Sequence, residues 1–248
     1  MRVFLLFIIA LLSSPSAVSL AQIETGPDPQ RAAIGLVGGV NFSWHQGTFT
    51  SRDAQFDCCT FSGGNGLGRT AGLRMFIPLS QRFAVRAGTV FEQVNGEYPA
   101  EFEAFPVLGR NDEVFLLQLR EELETTLEAF SIELMLSWRV LAPGVYVAAG
   151  PSYSILMSKH QMQRETILSP AEMEFVDGGR THILIDSEIP DAEHFFAFRA
   201  GAGALFPLHP ILYANPEILF AVPLSRVRER GAWTVSGFDV TLGILLVL

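Results

Sequence analysis

The last eleven residues of the chain, Phe238 to Leu248, read FDVTLGILLVL and carry the pattern that decides the fold. Every even-numbered position holds a large apolar side chain, whereas the odd-numbered positions begin with Asp239, Thr241 and Gly243. Because successive side chains of a β-strand point to opposite faces, one face of this strand is apolar and the other begins polar or small. Together with an export signal, this pattern predicts the closing strand of a transmembrane β-barrel.

The first 21 residues have the features of such an export signal. Arg2 supplies the positive charge, an apolar run of ten residues extends from Val3 to Leu12, and Ser19-Leu20-Ala21 places small residues where a signal peptidase requires them. A helix needs ~20 apolar residues to cross a bilayer, so an uncleaved anchor is the less favoured alternative. We expect a signal peptide over residues 1–21, a periplasmic N-terminal segment over residues 22–32 and a transmembrane barrel over residues 33–248.

Alternation of apolar with polar or small residues recurs in eight segments of the chain. Each has about the length of a tilted membrane-spanning strand, and no other apolar run is long enough for a membrane helix. The predicted strands are Ile34–His45, Thr70–Leu79, Phe83–Glu92, Phe130–Val140, Val145–Ile155, Phe196–Phe206, Leu212–Val222 and Phe238–Leu248. The predicted fold class is therefore all-β, an eight-stranded antiparallel transmembrane up-and-down β-barrel.

The predicted connections alternate between short and long. Three are tight turns, at residues 80–82, 142–144 and 208–210, whereas the connections between them span roughly residues 46–66, 95–125, 158–194 and 224–232. Short periplasmic turns and long extracellular loops are typical of barrels in the bacterial outer membrane. A soluble lipocalin-like barrel is the alternative, but its outer face would be polar rather than lined with Phe, Leu and Trp.

The composition favours a surface that faces lipid. The chain has 22 Gly, 20 Phe and only 17% charged residues, and its net charge of −9 argues against nucleic acid as a partner, because such binding needs basic patches. The two cysteines, Cys58 and Cys59, are adjacent. A bridge between neighbours forms a strained ring, so we expect two free thiols in a loop rather than a scaffold disulfide, a redox bridge or a soft-metal site.

Eight charged residues fall on the predicted inward face of the strands. Because an eight-stranded barrel is only just wide enough for side chains to fill it, these charges are expected to pair. They are Arg74, Arg86, Arg139 and Arg199 against Glu92, Glu133, Glu217 and Asp239. The balance of four against four favours an interior closed by ion pairs over a selective pore for ions or small solutes.

Three short motifs resemble a known family. Gly35–Asn41 reads GLVGGVN, Ala149–Tyr153 reads AGPSY and Asn215–Ile218 reads NPEI. With the signal peptide, these segments resemble the PorT-like outer-membrane β-barrel proteins of Bacteroidetes and related bacteria. The resemblance implies an eight-stranded barrel that is inserted by the barrel-insertion machinery, with some relatives linked to secretion or surface assembly. Such barrels often end in Phe or Trp, whereas this chain ends in Leu248.

Histidines near the predicted extracellular rim raise the question of catalysis. His45, His160 and His194 lie near strand ends, and Ser158, Glu165 and Glu193 lie in the same loop region. Some small barrels use Ser, His and an acid on outer-leaflet lipids. No nucleophile motif surrounds any Ser, and the histidines lack the usual spacing of metal ligands. We therefore expect no enzyme activity, no cofactor and no metal.

Three local expectations complete the prediction. Trp44, Trp138 and Trp233 should lie on the outward face or its rim, and Pro151 and Pro216 should each sit at a β-bulge. Residues 112–124, which mix Leu with acidic residues, should form a short amphipathic helix or an extended hairpin beyond the membrane. The function that we expect is structural or interactive: the partners are outer-membrane lipids, the insertion machinery and a protein bound through the extracellular loops.

Overall fold

The computed structural model describes residues 31–50, 60–108, 113–141, 144–176, 178–189 and 191–248. Eight long strands make up the architecture: β1 Ala33–Gln46, β2 Gly64–Pro78, β3 Phe83–Glu101, β4 Val114–Leu141, β5 Val145–Ser169, β6 Phe195–Ala204, β7 Leu212–Pro223 and β8 Thr234–Val247. Short strands lie at Phe49–Thr50, Thr60–Phe61, Phe105–Leu108, Thr181–Glu188 and Phe206–His209, and a 3-10 turn lies at Arg230–Ala232. In the described part of the chain, no helix is long and apolar enough to cross a membrane.

The eight strands form a closed antiparallel ring. Each strand pairs with its neighbours in the chain, and β1 pairs with β8 from Ala33↔Val247 to Gln46↔Thr234. Closure removes the sheet edges that an open sheet would leave unpaired. The predicted fold class, an eight-stranded up-and-down barrel, is confirmed.

An apolar belt covers the outside of the ring. Along β4, every even-numbered side chain from Phe130 to Val140 is exposed, while Ser131, Glu133, Met135 and Ser137 are buried. At a rise of ~3.4 Å per residue and a tilt of ~40°, this run is about 26 Å tall, the height of the apolar band of a membrane barrel. The alternation therefore follows from one face meeting lipid and the other meeting the interior.

Three strands continue well beyond this belt. β4 has 28 residues and β5 has 25, whereas β1 and β8 have 14 each. With the short strands Phe105–Leu108 and Thr181–Glu188, the ends of β3, β4 and β5 form what we call the projecting sheet: residues 93–101, 105–108, 114–128, 158–169 and 181–188. The predicted loops at 95–125 and 158–194 are thus wrong in their bounds, because most of both is strand. Of the two alternatives for residues 112–124, the structure has the hairpin from Val114 onward.

Two prolines lie inside the ring without the predicted bulges. Pro151 of β5 is opposite Phe198, Pro216 of β7 is opposite Leu242, and the register is unbroken at both positions. In the ladder between β4 and β5, the bulges lie elsewhere, for example between Glu128 and Ala129. The prediction of a bulge at each proline is therefore wrong.

The interior is arranged in layers. An apolar layer fills the end nearest the long loops, a second fills the end nearest the short turns, and a charged layer lies between them. The loop-side layer comprises Phe61, Val94, Tyr98, Leu123, Leu127, Ile189, Ala192, Phe195, Val227, Trp233 and Val235. The turn-side layer comprises Ala33, Phe76, Met135, Tyr146, Ala148, Tyr213, Leu219, Leu245 and Val247.

Of the three tryptophans predicted on the outward face or its rim, Trp233 is placed differently by the structure. Trp44 and Trp138 are exposed on the outward face, as predicted, but Trp233 is completely buried in the loop-side layer. Its indole Nε1 donates to His45 Nδ1 at 3.1 Å. Trp233 directly precedes β8 and, like the buried Val235, is at an odd-numbered position, so the inward alternation of β8 continues through it.

Candidate functional site

The charged layer is the most unusual feature of the interior. One half of it centres on Glu217 of β7, whose Oε2 accepts from Arg74 Nη1 at 2.8 Å and from the Tyr146 hydroxyl at 2.9 Å. Its Oε1 accepts from Arg86 Nη1. Asn215, two residues earlier on the same face, donates to the Tyr146 hydroxyl at 2.8 Å. Both oxygens of this buried carboxylate are thus hydrogen-bonded to charged or polar partners.

The other half centres on Arg199 of β6. Its Nη1 lies 2.7 Å from Glu133 Oε1 and 3.1 Å from Asp239 Oδ2, and its Nη2 lies 2.6 Å from Glu92 Oε1. Glu133 also accepts from Arg86, so this carboxylate joins the two halves. Strands from around the ring contribute to one connected set of ion pairs.

Seven of the eight predicted interior charges therefore come together, and the eighth does not. Arg139 is half-buried at the turn-side mouth of the barrel, beside a cavity that Arg31 and Arg82 also line. Among the described residues it makes no ion pair with the charged layer. Alternation correctly places Arg139 on the inward side, but its position along the strand puts it on the turn side of the charged layer. The layer therefore holds three arginines and four carboxylates.

Tyr146, Asn215 and Ser131 complete the polar contacts of this layer. Ser131 Oγ donates to Glu92 Oε2 at 2.7 Å and lies 2.8 Å from Ser154 Oγ. Neutral residues of this kind were not among the predicted network residues, although the alternation of β4, β5 and β7 puts all of them on the inward face. A search of inward positions for hydroxyl and amide groups would have found them.

Little space remains between the charged side chains. The cavity among Arg74, Glu133, Arg199 and Asp239 has a volume of about 10 Å³, which is roughly enough for one water molecule. Both apolar layers flank it along the barrel axis. The arrangement suits a filled interior in which every charged side chain of the layer contacts a charge of opposite sign.

The predicted rim histidines do not converge. His45 is buried, and its Nε2 lies 2.9 Å from the carbonyl oxygen of Asn95. His160 pairs with Asp186 at 2.7 Å on the projecting sheet, whereas His194 Nδ1 accepts from the amide of Leu156 at 3.0 Å. In the part of the chain that the structure describes, no group of three or more His, Cys, Asp or Glu side chains could hold a metal ion. Cys58 and Cys59 lie outside the described residues.

One face of the projecting sheet carries acidic residues. Glu121 and Glu165 are directly opposite each other on β4 and β5. Glu121 is buried and its Oε2 accepts from Gln163 at 2.7 Å. Burial raises the pKa of the Glu165 carboxyl above its usual range, and the neighbouring Glu121 raises it further.

The opposite, outward face of the projecting sheet is acidic near the belt and apolar at its tip. Arg120 pairs with Glu101 at 2.6 Å and Arg164 pairs with Glu124 at 2.5 Å. Glu97 lies directly opposite Glu124, an arrangement of like charges that opposes pairing. At the tip, the register sets Leu108 opposite Val114 and Pro106 opposite Leu116. We call Pro106, Leu108, Val114 and Leu116 the apolar tip.

Comparisons with known proteins give likenesses of overall shape. No protein-family model matches the chain, and no curated protein matches it. Among solved structures, Ail, the attachment invasion locus protein of Yersinia pestis, has 11% identity and a TM-score of 0.34, with 87% of this chain and 99% of Ail covered. Neisserial surface protein A has 8% identity and a TM-score of 0.36, with 87% and 99% covered. OprG from Pseudomonas aeruginosa has 10% identity and a TM-score of 0.30, with 88% and 94% covered.

Three features of the chain itself identify its structural class. The ring of eight antiparallel strands is closed, the exposed face is an apolar belt, and the buried face holds paired charges. A closed barrel is one of the two structures that leave no backbone group unpaired in lipid. The protein is a transmembrane β-barrel.

Proposed function

We propose that the protein is a closed outer-membrane anchor that presents the apolar tip of the projecting sheet as a binding surface for a protein partner. The apolar tip is the single observation that carries this proposal. Leu108, Val114 and Leu116 are 75%, 67% and 63% exposed, at the end of the sheet that is farthest from the belt.

The position of the tip separates it from the lipid-facing surface. About sixteen residues of β4 precede Phe130, where the belt begins, and at ~3.3 Å per residue they extend roughly 50 Å along the strand. A cluster of large apolar side chains that is exposed to water more often marks an interaction site than an ordinary solvated surface. Covering one such side chain stabilises a complex by about 1.5–3 kcal/mol.

Other features of the chain support the same proposal. The paired charges and the small cavity at their centre argue against a pore, and the separated histidines argue against a lipid enzyme. We propose that residues 1–21 are a signal peptide, that residues 22–32 are periplasmic, and that β8 is read by the insertion machinery. The motifs at Gly35–Asn41, Ala149–Tyr153 and Asn215–Ile218 support a PorT-like relationship and hence a role in surface assembly.

Site-specific photocrosslinking on intact cells tests the binding surface. A photoreactive residue at Leu116 should give a discrete protein adduct, and the same residue at Thr166, on the outward face nearer the belt, should give less. Leu108→Glu should abolish the Leu116 adduct because a charge at the tip opposes apolar contact. All variants should retain heat-modifiable gel migration, which reports a folded barrel.

Two results would contradict the proposal. One is the absence of any adduct at Leu116 in cells that display the folded protein. The other is an adduct of equal yield at Leu116 and Thr166 that Leu108→Glu leaves unchanged, because that pattern indicates random collision.

A further inference from the structure

The barrel wall divides between β7 and β8 near the outer edge of the belt. Pairing between the two strands ends at Ala221↔Gly237. Beyond this point β7 follows β6, since the amides of Leu224 and Ser225 both donate to the carbonyl oxygen of Phe196. β8 instead stays with β1, as the pair Ser236↔Trp44 shows. The two strands thus leave a slot in the wall.

A cavity of about 40 Å³ lies in this slot. It is lined on the lipid side by Phe42 and Phe238 and on the inner side by Ala221 and by Phe195 and Val235 of the loop-side layer, with Arg199 and Glu92 at its deep end. A cavity lined from both faces of a single sheet crosses that sheet. Its outer half is apolar and is continuous with the surface that meets lipid.

A larger groove adjoins the slot on the outside of the barrel. It has about 330 Å³ and shares Phe42 and Phe238 with the cavity in the slot. Its floor is aromatic: the rings of Phe42 and Phe238 stack at 4.6 Å, and the rings of Trp44 and Phe238 lie 5.6 Å apart. Asn65 and Glu97, which are opposite each other on β2 and β3, line its other end.

The ends of the groove lie at different depths. Because strands in a barrel are tilted, a row of paired residues runs obliquely to the membrane plane. One such row joins Phe91, the last apolar outward residue of β3, through Leu242 on β8 to Pro216 in the middle of β7. Rows therefore descend from β3 towards β7, so that Asn65 and Glu97 lie nearer the outer surface of the membrane and the slot lies deeper, among acyl chains.

We propose that this groove binds one outer-leaflet lipid whose headgroup carries an ammonium or hydroxyl donor. The tail crosses the aromatic floor and its end enters the slot between Ala221 and Gly237. The donor of the headgroup meets the carboxylate of Glu97 and the amide of Asn65. The groove is continuous with the lipid-facing belt, which identifies its occupant as a lipid, and the negative charge of Glu97 disfavours a purely anionic headgroup.

Photolabelling with a defined lipid tests the proposal. The full-length mature protein is reconstituted in phosphatidylethanolamine vesicles that contain a trace of the same lipid with a photoreactive group at the end of its tail. Labelling should concentrate on Phe42, Phe238 and Ala221, at least several-fold above the yield at Leu134, which faces lipid on β4. Equal yield around the belt would overturn the proposal.

Matched variants separate the two ends of the groove. Ala221→Trp fills the slot from its inner side and should reduce the labelling of Phe238 several-fold, whereas Ala202→Trp adds the same side chain on the lipid face away from the slot and should leave this labelling unchanged. Glu97→Gln should weaken labelling by this lipid, and Glu128→Gln, another outward Glu at the edge of the belt, should not. If all four variants label like the unaltered protein, the groove is ordinary belt surface and the proposal fails.

Discussion

Replacing Glu217 by Ala should destabilise the barrel strongly. Glu217 is 3% exposed, and its two oxygens accept from Arg74, Arg86 and Tyr146. Without it, Arg74 keeps among the described residues only a marginal contact with Asn215 Oδ1, at 3.5 Å, whereas Arg86 keeps Glu133. Breaking a buried pair in this way costs about 3–5 kcal/mol, because the remaining charge is buried without a partner.

The measurement is the unfolding free energy in detergent micelles or vesicles, followed by tryptophan fluorescence as denaturant is added. Glu229→Ala is the control, because Glu229 pairs with Arg226 on the surface and both side chains are at least half exposed. An exposed pair contributes less than about 1 kcal/mol. An unchanged midpoint for Glu217→Ala, together with steady ion-selective conductance of the unaltered protein, would refute the closed interior.

Three further predictions address the belt, the loop-side layer and the projecting sheet. Quenchers carried on lipid chains should reduce the fluorescence of Trp44 and Trp138 but not of Trp233, measured in variants that retain one Trp each; equal quenching of all three would contradict the assigned facing. Trp233→Ala should destabilise the barrel by about 3–5 kcal/mol in the same unfolding assay, because it leaves a large cavity and removes the hydrogen bond that Trp233 donates to His45 Nδ1. The raised pKa of Glu165 stabilises the fold fully below about pH 4.5, its usual value, and this contribution is lost as the pH rises through the raised pKa. Glu165→Gln should therefore stabilise the projecting sheet at pH 7 and flatten its pH dependence in hydrogen exchange, whereas a destabilised sheet would show that the carboxylate is needed.

The sequence pattern predicts which face each residue takes more reliably than how far each strand extends. Within the belt, lipid imposes a continuous apolar face, so alternation identifies residues such as Leu134 as outward and Glu133 as inward. Beyond the belt both faces meet water or loops. The stretch from Gln118 to Glu124, QLREELE, has no apolar face to reveal that it is strand.

Alternation also does not show how deep in the barrel a residue lies. Arg139, like Glu133, is at an odd-numbered, inward position of β4, but it lies at the turn-side mouth, six residues along the strand from Glu133. Trp233 precedes β8 by one residue and has the odd-numbered position of the buried Val235, so alternation alone assigns it to the inward side where the structure has it. Alternation assigns a side, whereas height depends on the closed ring.

The order of assembly follows from the span of the ion pairs. Arg74 and Glu217 are 143 positions apart, and Arg86 and Glu217 are 131 apart. Contacts of such separation form late, after the loop-closure entropy between distant segments has been lost. Until β8 meets β1, these arginines and carboxylates lie on a curved but open sheet and keep their water. Interactions that are absent from the transition state slow unfolding without speeding folding. The charged layer therefore slows the unfolding of the finished barrel and prolongs its lifetime in the membrane, whereas the apolar belt determines how readily the chain inserts.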